Sequence, residues 1–496
     1  MKALGSMAMQ RVQSGQLQVA HVEGAELGVI AQSFSDVGWA SCRARLLRSF
    51  SWDAKERAFE VVDIELTLGS PLIAVCGPYA TADAAAWNQN SELDVGFPER
   101  EDYDGVLYLV HGEPATAKDR YQDAAGWIVL AGISQDGKER FVALALEKSN
   151  TQLVHMCLED GRLNVSLILP KQIYPISACS EMIDLPQMQI TCGVGDIEFA
   201  HLKLREMILQ AIPLRARVYS APLIVDTWGF GTHVNQDLVS RVADTAKELE
   251  LEVLTIDKGW EKIVGEWQPG PHFHDGMLGL SEITSRSGTR LGLWASLGNA
   301  DPSSRVAIEH PDWIATWRGK VQVVSHRTSS LCMGHGPVIE YLAAQLAHLA
   351  NNGLTWLLHD FETISRCDSA LHDHPQGLGE DWAVRGWYRL LSEFRAQFSD
   401  VWIENCWNGG RPLDLQMIAH HDTTIGDDWC DVRHNAVAKV GLGQYLPAHW
   451  CSSYMSDQNS LTLRSQLAIY AVGGPWILMG DIPNWSAEKL KLAKRV

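Results

Sequence analysis

Up to about residue 215 the chain is written in short alternating or uniformly apolar runs, among them LRSFSWDAKERAFEVVDIELTLG, GVLYLVHG, AGWIVLAGIS and RFVALALEK, each bounded by Gly, Asp or Asn turns. Alternation with a period of two puts successive side chains on opposite faces of an extended strand, so residues 1–215 are expected to form an antiparallel β-sandwich domain. From Ala221 the texture changes. Apolar strand-like runs now alternate with helix-like stretches: PLIVDTWGFG, DLVSRVADTAKELEL, EVLTIDKGW, a helical segment running to Arg290, and LGLWAS. Then come SSLCMGH, a helix over 337–350, LTWLLHDF, a helix over 381–397, VWIENCW, TTIGDD, GQYLPAHW and GGPWILMG. Strand-helix alternation means a parallel sheet with crossover helices, and eight or nine strands over about 260 residues match the ~250 of a (β/α)8 barrel. SSLCMGH is short enough to be a strand within a loop. The second domain is therefore expected to be a (β/α)8 TIM barrel over 216–496. It runs out at LKLAKRV, inside an amphipathic helix, so a C-terminal domain is expected to be missing.

Composition narrows the partners. With 496 residues, 46% hydrophobic and 20% charged, the chain can bury large cores. Its formal net charge of −19 repels nucleic acid and anionic membrane surfaces. Ten scattered Cys without a C-x-x-C pair read as reduced, buried thiols, and no leader-like or membrane-spanning run is found, so a cytoplasmic location is expected. The 19 Trp are unusual, because each indole N–H must find a partner when buried.

In a (β/α)8 barrel the chemistry sits where strands end, because the loops that follow them converge on one rim. The residues at those ends are Asp226 and Trp228; Asp257, Lys258 and Trp260; Trp294; His359, Asp360 and Glu362; Glu404, Cys406 and Trp407; Asp427 and Asp428; and His449 with Trp450. Carboxylates and tryptophans dominate. Glycosidic hydrolysis needs two carboxyl groups about the anomeric carbon, while aromatic faces stack on the sugar's C–H surface. The plainer reading of Asp226 or Asp422 is a helix cap, and that of Trp356 or Trp402 is core. Asp360 stands apart because it follows the apolar run LTWLL, where an ionised carboxylate is costly unless it has a task or a partner.

The ordered segments PLIVDTWGFG, LEVLTIDKGW with a following GEW, RLGLWAS before HPDW, LTWLLHDFE, WIENCWNGGRPLDLQMI and IGDDWCD resemble the melibiase-type α-galactosidases of glycoside hydrolase family 36, over roughly 220–496. The preceding β domain lies where that family carries its β-supersandwich. The resemblance implies a retaining mechanism without a cofactor, with Asp360 as nucleophile and Asp427 as acid/base, Asp428 being its rival. It implies a sugar site drawn from Asp257, Lys258, Trp228, Trp260, Trp294, Cys406, Trp407, Gly409, Asp428 and Trp450, an oligosaccharide or glycoside substrate, and assembly into a homo-oligomer. Departures from the family pattern stand out. Lys258 follows Asp257 where the family has a second Asp, Leu358 replaces a Lys two residues before the nucleophile, and Leu297-Gly298-Asn299 replaces Glu-Pro-Glu. Trp407 enters the Cys-Ser-Gly-Gly loop. Lys258 either balances charge in place of the lysine missing at 358, which is preferred, or recognises an acceptor on an acidic or N-acetylated sugar.

Two other classes compete with an α-glycosidase: a carbohydrate-binding relative without turnover, and a metal-dependent hydrolase built on His420, His421 and Asp422 or on His372, Asp373 and His374. The metal reading is disfavoured, because adjacent side chains on a strand face opposite ways and the second run lies in a polar loop. No metal ligand is assigned.

Overall fold

The computed structural model describes residues 195–494 apart from 214–220, 325–326, 361–365, 376–378, 408–412, 426–441, 444, 457–460 and 471–473; before residue 195 it describes the strand segments. Two compact units result, Met1–Ala211 with Pro412–Met417, and Ile212–Arg411 with Ile418–Val496.

In the first unit the alternating runs pair as two antiparallel five-stranded sheets. One has the order Gln16–Leu17, Met188–Val194, Glu139–Leu146, Trp127–Ile133, Leu72–Cys76. The other has Cys42–Arg45, Phe59–Thr67, Arg162–Leu169, Leu153–Glu159, Val106–Val110. The expectation of strands alone here needs correction, because Ile197–Ala211 is a 15-residue helix. Asp196 opens it, its carboxylate accepting from Phe199 N at 2.9 Å. Ala200, Leu204 and Ile208 recur every four residues and are fully buried, which is a helical face rather than a strand's.

The second unit is a closed barrel of eight parallel strands: β1 (Leu223–Asp226), β2 (Val253–Ile256), β3 (Arg290–Ala295), β4 (Leu354–His359), β5 (Trp402–Asn405), β6 (Thr423–Ile425), β7 (Cys451–Met455) and β8 (Trp476–Leu478). Pairing of Leu223 with Trp476 and of Val225 with Leu478 closes the ring. Four long crossover helices fall where periodicity puts them: α1 (Gln236–Glu248), α2 (Gly276–Ser287), α3 (Gly336–Asn351) and α4 (Gly379–Gln397). In α1, Asn235 caps the start by accepting from Leu238 N at 2.9 Å, and Leu238, Val239, Val242, Ala243 and Ala246 form the buried stripe. Full burial of a side chain such as Val242 contributes about 1.5–3 kcal/mol.

SSLCMGH supplies only a two-residue strand, Ser329–Ser330, paired with Asn299–Ala300 outside the barrel. GQYLPAHW is not a barrel strand. Its end is a 3-10 turn, Ala448–Trp450, and the seventh strand is the following CSSYM. That segment does not read as a strand because Ser452 and Ser453 are polar, yet both are buried; Ser452 shares a 2.8 Å hydrogen bond with Thr423 of β6.

Candidate active site

Strand alternation and three contacts orient β4. His359 packs its ring on Trp387 of α4 at 5.1 Å, so this residue faces the helix layer. Asp360 and Leu358, with the opposite parity, share the other face, and Asp360 accepts from the Trp294 indole at 2.8 Å. Asp360 is 5% exposed and its backbone N–H bonds Ala295 O, which keeps it in register at the C-terminal end of the sheet. Trp356 lies on the same face and donates to Glu404 of β5 at 2.7 Å.

Three further carboxylates accompany Asp360. Asp226 ends β1, Asp257 follows β2, and Glu404 lies within β5; all are buried. Burial pushes the Glu404 carboxyl up to about 7, against the pull of the Trp356 hydrogen bond, and the Asp257 and Asp360 charges add to the rise. Burial also pushes Asp226 up to about 7, with the Glu404 and Asp360 charges adding, while hydrogen bonds from Trp228 N and with Asp257 oppose it. The Asp257 and Asp360 charges thus bear on Glu404, and the Glu404 and Asp360 charges on Asp226, so the four carboxylates form one electrostatic set. Two carboxyl groups raised toward neutrality beside other acids suit acid/base chemistry and the gripping of sugar hydroxyls.

Lys258 brings a half-buried cation to this set. Burial lowers its pKa, while Glu261, Asp360 and Asp257 act to raise it. Its ammonium lies 5.6 Å from the Trp294 ring centroid, the same ring that orients Asp360. The turn that presents it requires Gly259, with φ of 110° and the Thr232 carbonyl 2.6 Å from where a Cβ would sit. Glu261 stabilises the turn by accepting from Gly259 N at 2.8 Å. Sequence reasoning passed over Glu261, although an acid three residues after Lys258 in the DKGWE run was the available signal.

The tryptophans divide. Trp228 is 39% exposed and keeps a face available, whereas Trp260, Trp294, Trp407 and Trp450 are buried. Trp260 donates to Trp294 O at 2.8 Å, so it backs the residue that holds Asp360. Trp407 packs on His359 and Trp387 between barrel and helix, not as a ring offered to ligand. Trp450 precedes β7 and so lies toward the N-terminal end of that strand, opposite the rim expected for it. Cys406 keeps a rim position and contacts the Tyr454 hydroxyl of β7 at 3.4 Å, a partner hidden from the sequence reading with its strand. Asp427, Asp428 and Gly409 lie outside the described residues, as does Glu362.

The cap reading of Asp226 holds, since its carboxylate accepts from Trp228 N at 2.7 Å and opens a 3-10 turn, while the residue also belongs to the electrostatic set. Asp422 is structural. It precedes β6 and takes a two-pronged ion pair from Arg395 at 2.9 and 3.1 Å. His421, 3.1 Å from His359, stacks on it; burial lowers the His359 imidazole to about 3, leaving it neutral. His420, His421 and Asp422 thus point to different partners and form no common ligand set, because His420 stacks on Tyr388.

A family model described as Melibiase matches residues 190–467. Among curated relatives, a probable α-galactosidase C of Aspergillus flavus is 22% identical over 255 residues, covering 47% of this chain and 33% of the relative. A probable α-galactosidase G of Emericella nidulans is 23% identical over 333 residues, covering 63% and 44%. The chain thus spans between a third and under a half of the length of these relatives. The solved GH36 α-galactosidase AgaA of Geobacillus stearothermophilus superposes with a TM-score of 0.70 at 15% identity, over 98% of this chain and 75% of that one. TtGalA, an α-galactosidase from Thermus thermophilus solved with stachyose, gives 0.61 at 17% identity over 94% and 98%.

Proposed function

Because the chain belongs to the Melibiase family, we propose that it is a retaining α-glycosidase of α-galactosidase type, cleaving terminal α-galactosides or a related α-linked sugar from oligosaccharides or glycosides. The observation that carries this reading is Asp360 itself, on the inner face at the C-terminal end of β4, buried, and aimed by the Trp294 N–H. A carboxylate so held can attack an anomeric carbon and form a covalent glycosyl-enzyme. In the same step Asp427 protonates the departing glycosidic oxygen; its conjugate base then draws a proton from the water that attacks the glycosyl-enzyme and releases the sugar. Asp257 and Asp226 accept hydrogen bonds from sugar hydroxyls, and Trp228 offers its exposed face to the C–H surface. The stachyose named with the Thermus relative makes such oligosaccharides the first to try. A cytoplasmic location belongs to the same reading, supported by the described cysteines Cys332, Cys367, Cys406 and Cys451 being buried and in no disulfide.

The test is a panel of aryl α-glycosides, in galacto, N-acetylgalactosamino and uronic forms, with the anomer of the first-released sugar followed by NMR. Hydrolysis of the galacto form with the α-anomer appearing first is expected. The β-anomer first would mean inversion, and no turnover on any member would leave a binding protein.

Lys258 favours a second feature of this reading. Leu358 lies on the same face as Asp360, and the cation missing there is supplied from the turn after β2 by Lys258, whose charge acts on Asp360. Lys258→Met is expected to lower turnover on all the sugars by a similar factor and to move the acidic limb of the pH–rate profile upward. The sign follows from the lost cation, which had favoured the ionised carboxylate. A loss confined to the acidic or acetamido sugar, with an unmoved profile, would instead make Lys258 a specificity residue.

A further inference from the structure

The connections that follow β3 and β4 bring together Cys332, Cys367, His372 and His374, all buried, with one ligand atom from each lying within 4.8 Å of every other. We propose that these four side chains form a structural site for a zinc-class divalent ion. Two thiolates and two imidazoles are the donor set such an ion takes, and their two negative charges would neutralise it in a place without solvent. A tetrahedral ion with bonds of ~2.3 Å to sulfur and ~2.0–2.1 Å to nitrogen requires ligand atoms roughly 3.3–3.8 Å apart. The observed cluster brackets that, with Cys367 Sγ 3.1 Å from His372 Nδ1 and the widest separation within 4.8 Å.

The imidazoles are oriented as ligands are. His372 bonds the Asp312 carbonyl through Nε2, which leaves Nδ1 turned toward Cys367. His374 bonds the Pro375 carbonyl through Nδ1 at 3.1 Å, and its buried Nε2 has no hydrogen-bond partner among the described residues. Each ring is thus fixed by a backbone carbonyl behind it, the outer-shell arrangement that sets the tautomer of a metal-bound histidine. Around them, Asp373 joins His335 at 3.2 Å and accepts from Gly336 N at 2.7 Å, the first residue of α3, while His335 stacks on His372 at 4.8 Å.

Two plainer uses of these residues are weaker. Simple thiol packing does not explain two imidazoles converging on the sulfurs, and a catalytic Cys–His pair needs access that four buried residues deny. With all four positions filled by protein, the ion would hold structure and not bind substrate. It would tie the connection that carries Cys332 to the one that leaves β4 immediately after Asp360, and its binding would release the two thiol protons.

The experiment uses the full chain produced with zinc, dialysed, and analysed for bound metal, alongside the chain titrated with cobalt(II) alone. Expected are about one zinc per chain and the intense visible bands and thiolate-to-cobalt absorption of a tetrahedral site. Cys332→Ala with Cys367→Ala should abolish both. His374→Gln, which keeps both thiols, should weaken zinc binding by at least the ~10–100-fold that losing an outer-shell partner costs. Should the double variant misfold, the wild-type cobalt spectrum and the His374→Gln affinity still decide. Less than ~0.1 zinc per chain with no thiolate absorption, zinc retained by the double variant, or a Cys332–Cys367 disulfide in the non-reduced protein would each overturn the proposal.

Discussion

Asp360→Asn is expected to lower turnover on an activated α-glycoside by about 10^4-fold or more while leaving the fold unchanged. Loss of a nucleophile removes the covalent route itself, and knockouts of that kind cost several orders of magnitude. The fold should survive because Asn matches Asp in shape and its carbonyl oxygen can still accept from the Trp294 indole. Removing one charge from a buried set of carboxylates also relieves repulsion, so the melting temperature should hold or rise. Steady-state kinetics together with thermal melts check both halves. Wild-type turnover in a well-folded variant would remove Asp360 from the mechanism.

Asp427→Ala carries the second large effect. A general acid matters in proportion to the basicity of the group that leaves, so a loss of roughly 10^2–10^4-fold is expected on alkyl glycosides and a much smaller one on nitrophenyl glycosides. Azide should rescue the second step, because it attacks the glycosyl-enzyme without needing a base, and should yield a glycosyl azide of retained configuration. If Asp428→Ala behaves in this way and Asp427→Ala does not, the roles of the neighbours are exchanged.

Where sequence and structure agree, the cause is periodicity. Runs such as PLIVD, LTWLL and the α1 stripe state their own burial, and a parallel barrel follows from their alternation. The polar end of the apolar run LTWLLHD likewise marks Asp360 without any knowledge of its neighbours, since a charge there must be compensated. The misreadings arise where a residue's meaning depends on something distant along the chain. CSSYM does not read as a strand until Ser452 finds Thr423, which satisfies a hydroxyl that would otherwise be costly to bury. A tryptophan before or after a strand looks alike in sequence, yet Trp450 lies at the wrong end of β7, and Trp260 and Trp294 prove buried because their N–H partners lie 34 and 66 positions away.

Histidine and cysteine show the same division most plainly. Adjacency offered His420, His421 and Asp422 as a disfavoured ligand set, and folding separates them onto Tyr388, His359 and Arg395. Cys332 and Cys367 show no motif spacing, and folding sets them beside His372 and His374. Sequence by itself determined the strand runs of the first region, the barrel and its rim, and the carboxylate most in need of a task, because hydrophobic period and the cost of a buried charge are local. Which polar groups meet was decided only by closure of the barrel, because hydrogen bonds, charge coupling and metal ligation act over a few ångströms between segments the chain order leaves far apart.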